Sequence, residues 1–300
     1  MRAEVVVDGI EFGEGPVWCE PDQTLVVTSV TGGCLWRVWP EAGRRELIAD
    51  TDGGANGAAP AADGGFLVAN NGGVDLAKTG VIENPPPPRV APPGLQRVTP
   101  DGQVTYLARD GLNAPNDLCV GPDGVVYFTD PGHFPPPKGE LVGRVMAYER
   151  DGTLRTHSAD FWYCNGIAFD GAGNLVVIEQ AGLQRLNPDG SREWVIERLG
   201  RGAGDGFCVD RDGRFFVAST IEHGVRVIED GKAVDFLEID GEGVTTNCCF
   251  GGADGRLLFA TDAVPGRVVV WEGLTTAGLP IHTWPGSVSL AAESPSRSPD

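Results

Sequence analysis

The hydrophobic positions of this chain fall in short runs, each introduced by turn residues, and the runs repeat. A turn followed by a stretch of aliphatic, β-branched or aromatic residues recurs as EPDQTLVVTS (20–29), AADGGFLVAN (61–70), GPDGVVYFTD (121–130), GAGNLVVIEQ (171–180), DRDGRFFVAS (210–219) and GADGRLLFAT (252–261). A second pattern alternates with it, a strand ending in Arg-Val or a similar pair, then a turn, then another strand, as in LQRVTPDGQVTYL and LQRLNPDGSREWV. Asp-Gly between two such runs is a hairpin signal, because the turn needs residues that tolerate positive φ.

Together the two patterns make one unit, a meander of four antiparallel strands that returns about every 40–60 residues. A unit of this kind cannot bury both its faces alone and must stack on its neighbours, and four-stranded units arranged radially make a propeller. The sixth copy, RVVVWEGL, stops before its last strand, and the N-terminal AEVVVDGI can supply it. The fold expected is therefore all-β, a six-bladed propeller of four-stranded antiparallel blades whose ring is closed by the N-terminal strand. The propeller is assigned to residues 1–284 and a small, polar, disordered tail to 285–300. Two Pro-rich stretches, 70–94 and 130–141, interrupt the rhythm between the second and third strands of blades two and three. Long loops inside a compact domain are usually functional or disordered.

Composition narrows the function. Gly 44 and Pro 23 fit a turn-rich fold. A net charge of −19 opposes binding to nucleic acid or to an anionic membrane, since both need a basic footprint. No run reaches the roughly 18 apolar residues of a membrane span, and the acidic N-terminus lacks a secretory core, so no signal peptide is read. Seven Cys with no C-x-x-C pair fit a reducing, cytoplasmic setting. Cys119, Cys164, Cys208, Cys248 and Cys249 fall at strand positions where Cys serves as a small buried hydrophobe.

The candidate chemistry lies where the innermost strand of each blade begins. Glu14, Asn116, Asn165 and Asp205 stand just before or at the first strands of blades one, three, four and five. Blade six offers Thr245-Thr246-Asn247 and blade two Asn56-Gly57. Innermost strands surround the propeller axis, so equivalent positions form a ring, and these four converge at one mouth of the central channel. Their oxygen donors and two negative charges suit a hard cation, Ca²⁺ above all, with Mg²⁺ or Mn²⁺ as alternatives. The absence of His and Cys argues against zinc of the usual N/S kind, and Zn²⁺ stands last among the alternatives.

The connections between second and third strands lie on the same face, so both Pro-rich stretches roof the mouth. His133 and His223, on such connections, are candidate proton shuttles or substrate contacts. Asn247 either lines the cavity or pins blade six. Asp117 is read as holding its loop, Asp130 and Glu179 as turn formers, and His157 and His282 are given no role.

The segments EGPVW, PNDLCVGPDGVVYFTD, NGIAFD, DGFCVDRDG and TNCCFGGADGRLLFAT, in this order over about residues 10 to 272, resemble the SMP-30/gluconolactonase/luciferin-regenerating enzyme-like family. The resemblance implies a single divalent cation on the axis, bound by Glu14, Asn165 and Asp205, with Asn116 beside it as ligand or substrate contact, and hydrolysis of a lactone. Members acting on sugar-acid lactones often carry Arg two residues before the Asn of Asn116. Here that place is Ala114, which turns the expectation toward a more apolar lactone.

The cation would polarise the carbonyl, with Asp205 as general base toward water or as nucleophile, the two left open, and a small molecule as the substrate. Competing expectations are a non-hydrolytic isomerisation or decarboxylation at the same metal, organophosphate hydrolysis, or a non-catalytic propeller scaffold with a structural ion. The oligomeric state is left open.

Overall fold

The computed structural model describes residues 1–83, 85–132, 136 and 138–285. They form six antiparallel sheets of four strands each. The innermost strands are Gly13–Cys19, Ala55–Pro60, Leu118–Val120, Cys164–Phe169, Gly204–Val209 and Val244–Gly251, and each opens its own meander. Blade six has the composite make-up expected. Its outermost strand is the N-terminal Glu4–Asp8, paired antiparallel with Arg267–Trp271 so that Glu4 faces Val270 and Asp8 faces Arg267.

The apolar runs become the second strands, and the reason they are apolar throughout is geometric. Alternate residues of a strand point to opposite faces, and each blade has a neighbour on both faces. In blade three, Val126 and Phe128 pack toward blade two with Leu67, Leu95 and Ala59, whereas Val125 and Tyr127 pack toward blade four with Ile167, Leu175 and Val177. Clusters of this kind lie between every adjacent pair of blades, including six and one, where Phe259 and Val268 meet Leu25, Val27 and Val38. The outermost strands face water and carry the charge, as in Lys232–Glu238.

After Arg267–Trp271 the chain crosses the face opposite the inner-strand entrances, over the turns between first and second strands. Arg211 N–H donates to Ala277 O (2.9 Å), Leu279 N–H to Val209 O (2.9 Å), Trp284 N–H to Pro60 O (2.9 Å) and Ala62 N–H to Trp284 O (2.9 Å). Trp284 is buried in the cluster between blades two and three. Truncating an indole in such a place costs on the order of 3 kcal/mol. This strap closes the back of the propeller. The stretch expected to be a tail lies, beyond Pro285, outside the described residues.

On the opposite face, the first Pro-rich stretch is anchored at both ends. Asn70 Oδ1 accepts from Gly54 N–H (3.1 Å) and Gly72 N–H (2.9 Å). Arg89 bridges Asp50 (2.8 Å), Asp52 (2.5 Å) and Gly32 O (2.8 Å). All seven cysteines are free. Among the described residues no helix is long and apolar enough to cross a membrane.

Candidate functional site

Each inner strand begins in one shared register. The residue entering the ring is Glu14 in blade one, Asn56 in two, Asn116 in three, Asn165 in four, Asp205 in five and Thr246 in six. Just past this point the pairing with the second strand slips, between Glu14 and Val17, Ala55 and Ala58, Cys164 and Ile167, Gly204 and Phe207, and Thr245 and Asn247. A bulge of this kind bends the strand and re-aims a side chain.

Blade-to-blade hydrogen bonds hold the ring in register. Thr28 Oγ1 donates to Asn56 O, Gly57 N–H to Asn116 O (2.8 Å) and Thr246 Oγ1 to Gly13 O (2.7 Å). The second strands contribute too, since their last residues cap the incoming loops. Asp130 accepts from Asn113 N–H (3.2 Å) and Ala114 N–H (2.7 Å), and Glu179 from Trp162 N–H (2.9 Å). Both acids shape the entrance of their own blade's inner strand.

The side chains brought together are the four expected donors plus three others. Glu14, Asn56, Asn116, Asp117, Asn165 and Asn247 are all buried, and Asp205 is the ring acid left partly open. Burial raises the Glu14 carboxyl well above its usual range, and the charges of Asp205 and Asp117 raise it further against the Asn247 amide, which lowers it. Asp205 is raised well above its usual range by burial and then by the Asp117 charge, with the Asn165 amide opposing. Burial pushes Asp117 up to about 7 despite a hydrogen bond from Asn247. Among the described residues no cationic side chain acts on any of the three.

The carboxamides show the complementary deficit. Asn165 spends its amide on Asp205, and Asn116 hydrogen-bonds the Tyr163 phenol. The Oδ1 atoms of Asn56, Asn116 and Asn165 are buried without a hydrogen-bond partner. A buried acceptor left without a donor is costly. Among the described residues no group of three or more His, Cys, Asp or Glu could hold a metal ion by itself. The donors that fit a cation here are therefore carboxylate and carboxamide oxygens together, a set for hard ions.

Of the expected substrate contacts, His223 lies elsewhere. His223 sits at a positive φ of 57°, with Nδ1 3.0 Å from Gly241 O and Nε2 3.1 Å from Asp262 Oδ1. Burial lowers its pKa, but the bonds to Asp262 and Gly241 outweigh this and leave it raised. Asp262 also takes Arg267 Nε at 2.6 Å. The imidazole thus clasps blade five to blade six and is not among the groups facing the ring acids. Asn247 lies beneath the ring, against Asp117 and Glu14. His133 lies outside the described residues.

Asp117, Tyr163 and Asn56 were not singled out as site residues by the sequence. Burial raises the Tyr163 phenol well above its usual range, and the charges of Asp205 and Glu14 add to this. It stands two residues before Asn165, as Ala114 stands two before Asn116. That shared offset is the signal that marks it.

Fold and site define a class, a closed six-bladed propeller with a ring of oxygen donors at one mouth of its channel. The chain belongs to the SMP-30/Gluconolactonase/LRE-like family, whose model matches residues 12–264. It is 26% identical to a regucalcin from Danio rerio over 275 residues, covering 87% of this chain and 86% of that protein. It is 25% identical over 293 residues to a gluconolactonase from Zymomonas mobilis, covering 85% of this chain and 77% of that protein. Among solved structures, a gluconolactonase from Xanthomonas campestris superposes with a TM-score of 0.72 at 27% identity, over 89% of this chain and 88% of that one.

Proposed function

We propose that this chain is a hydrolase that opens a lactone, or a related ester, with the help of one divalent cation at the mouth of the channel. One observation carries the reading. Two carboxyl groups of the ring, Glu14 and the partly open Asp205, and a third beneath it, Asp117, stand with no cationic side chain among the described residues acting on them, beside three carboxamide oxygens that lack donors. Glu14, Asn165 and Asp205 hold the ion, with Asn116 and Asn56 beside them, and Ca²⁺ suits a set made only of oxygens. Bound there, such an ion polarises the ester carbonyl and stabilises the charge that develops on its oxygen.

The protein's own groups do the rest. Asp205, the ring acid open to the mouth, accepts the proton of the attacking water. Asn116 and Tyr163, joined by a hydrogen bond, line the side next to it and orient the substrate. The residues two places ahead of the ring, Phe12, Gly54, Ala114, Tyr163, Ala203 and Val244, carry no formal charge. A lactone with apolar substituents fits that rim better than a sugar acid. Membership of a family that includes gluconolactonases supports hydrolysis, and seven free thiols fit a cytoplasmic setting.

The test is proton release from a panel of lactones and aryl esters, with protein loaded with Ca²⁺ and then stripped by chelator. Release is expected with Ca²⁺ and lost on chelation, fastest on lactones with alkyl substituents. Silence across the panel while Ca²⁺ is bound would sink the hydrolase reading. Products of unchanged mass would replace it with a non-hydrolytic reaction at the same site.

A further inference from the structure

One residue below the donor ring, the same register gives a second ring, Gly15, Gly57, Asp117, Gly166, Gly206 and Asn247. The four glycines leave no room for a side chain. A Cβ on Gly15 would sit 2.5 Å from Asn56 O, on Gly57 2.7 Å from Asp117 Cα, on Gly166 2.5 Å from Asp205 O, and on Gly206 it would overlap the Asn247 carboxamide. The two side chains that remain come from blades three and six, which stand opposite each other in a ring of six.

They meet across the axis. Asn247 Nδ2 donates to Asp117 Oδ1 (3.0 Å) and Oδ2 (3.1 Å) and to Glu14 Oε2 (3.3 Å). Both ends are fixed by their own strands. Asn247 Oδ1 accepts from Cys248 N–H (2.9 Å), which commits the amide nitrogen to the carboxylates, and Asn247 N–H donates to Thr261 Oγ1 (3.0 Å). Asp117 N–H donates to Thr129 Oγ1 (3.2 Å), and Asp117 O accepts from Thr129 N–H (2.9 Å). Asn247 is 7% exposed and Asp117 6%, so water does not compete for this bridge.

Two carboxylates buried side by side repel unless something between them donates to both. Asn247 is that donor. It engages Glu14 Oε2, and by gripping Asp117 it fixes a second acid beneath the ring. We propose that Asn247 is a positioning residue, a cross-channel brace that sets the spacing of Glu14 and Asp117 and with it the affinity and size preference of the ring for a divalent ion. The inference rests on the proposed cation site.

The experiment compares Asn247→Leu, which keeps the branched shape and removes the donor, with Asp117→Asn and the double variant. Calorimetric titration with Ca²⁺ and Mg²⁺ is expected to show Ca²⁺ affinity lowered at least about 10-fold in Asn247→Leu, with a narrowed preference for Ca²⁺ over Mg²⁺. In cation-free protein, Asn247→Leu is expected to lower the melting temperature far more in the wild-type background than beside Asp117→Asn. Should Asn247→Leu fail to fold, Asn247→Ser, which is polar but too short to span the channel, takes its place with the same expectations.

Wild-type affinity and ion preference in a folded Asn247 variant would overturn the brace. If wild-type protein binds neither ion, the cation site itself fails, and the cation-free cycle still decides the brace: additive losses overturn it, a strong coupling upholds it.

Discussion

Asp205→Asn is expected to keep the divalent ion bound and to lose turnover by about 10³-fold in kcat/KM, about 4 kcal/mol of transition-state stabilisation. The substitution leaves a carboxamide oxygen where a carboxylate oxygen was, and the ring already presents three such oxygens, on Asn56, Asn116 and Asn165. What it removes is the second oxygen as a base. Asp205→Ala removes donor and base together, so its ion affinity falls as well as its rate. Steady-state hydrolysis beside calorimetric titration separates the two effects. A single turnover in ¹⁸O-water then tests direct attack by the carboxylate, because label found in Asp205 requires that it bonded to the substrate carbonyl.

The second large effect is on stability, and its sign follows from the direction of the shifts. Glu14, Asp117 and Asp205 all have carboxyl groups raised by folding. Between their unfolded values near pH 4 and their folded ones, the folded cation-free protein holds more protons than the unfolded chain, so its stability falls as pH rises through this window. For Asp117 alone, raised from 3.8 to about 7, the loss is on the order of 4 kcal/mol by pH 8.

Asp63, Asp151, Asp189 and Glu222 are shifted the other way, so their stabilisation builds up to just above their unfolded values near pH 4 and changes little from pH 5 to pH 8. His223, raised by Asp262 and Gly241 against its burial, also loses stability as pH rises through its folded pKa. A saturating divalent ion cancels the carboxylate part and not the histidine part. Urea midpoints at pH 5 and pH 8, each with chelator and with Ca²⁺, are expected to show a steep fall between the two pH values in chelator and a shallow one in Ca²⁺. Ca²⁺ at 1,000 times its Kd supplies about 4 kcal/mol.

Most of the architecture was legible because each blade repeats the same local code. A turn ahead of an apolar run, Asp-Gly in four of its six copies, places the first and second strands wherever it occurs, and six copies leave one ring size. The missing outer strand of RVVVWEGL and the unpartnered AEVVVDGI named each other for the same reason. The donor ring was legible in part, because Glu14, Asn116, Asn165 and Asp205 share a position in that code.

What the code hides is contact between blades. Asp117 reads locally as a loop acid, and only the partner 130 residues away, Asn247, shows it to lie under the ring. His223 reads as an exposed loop histidine, but Asp262, 39 residues on, takes it up. Tyr163 looks like one more aromatic before a strand until Asn116 of the preceding blade is placed beside it. Trp284, at the end of the stretch assigned to the propeller, gives no sign that the chain there folds back over its base.

The most direct measurement is a calorimetric titration of chelator-stripped protein with Ca²⁺, run beside Glu14→Ala and Asp205→Ala. One ion per wild-type chain, with affinity lost in both variants, is the expected result. Folded wild-type protein that takes up no divalent ion, or that binds one equally well without Glu14 and Asp205, would contradict the account at its centre.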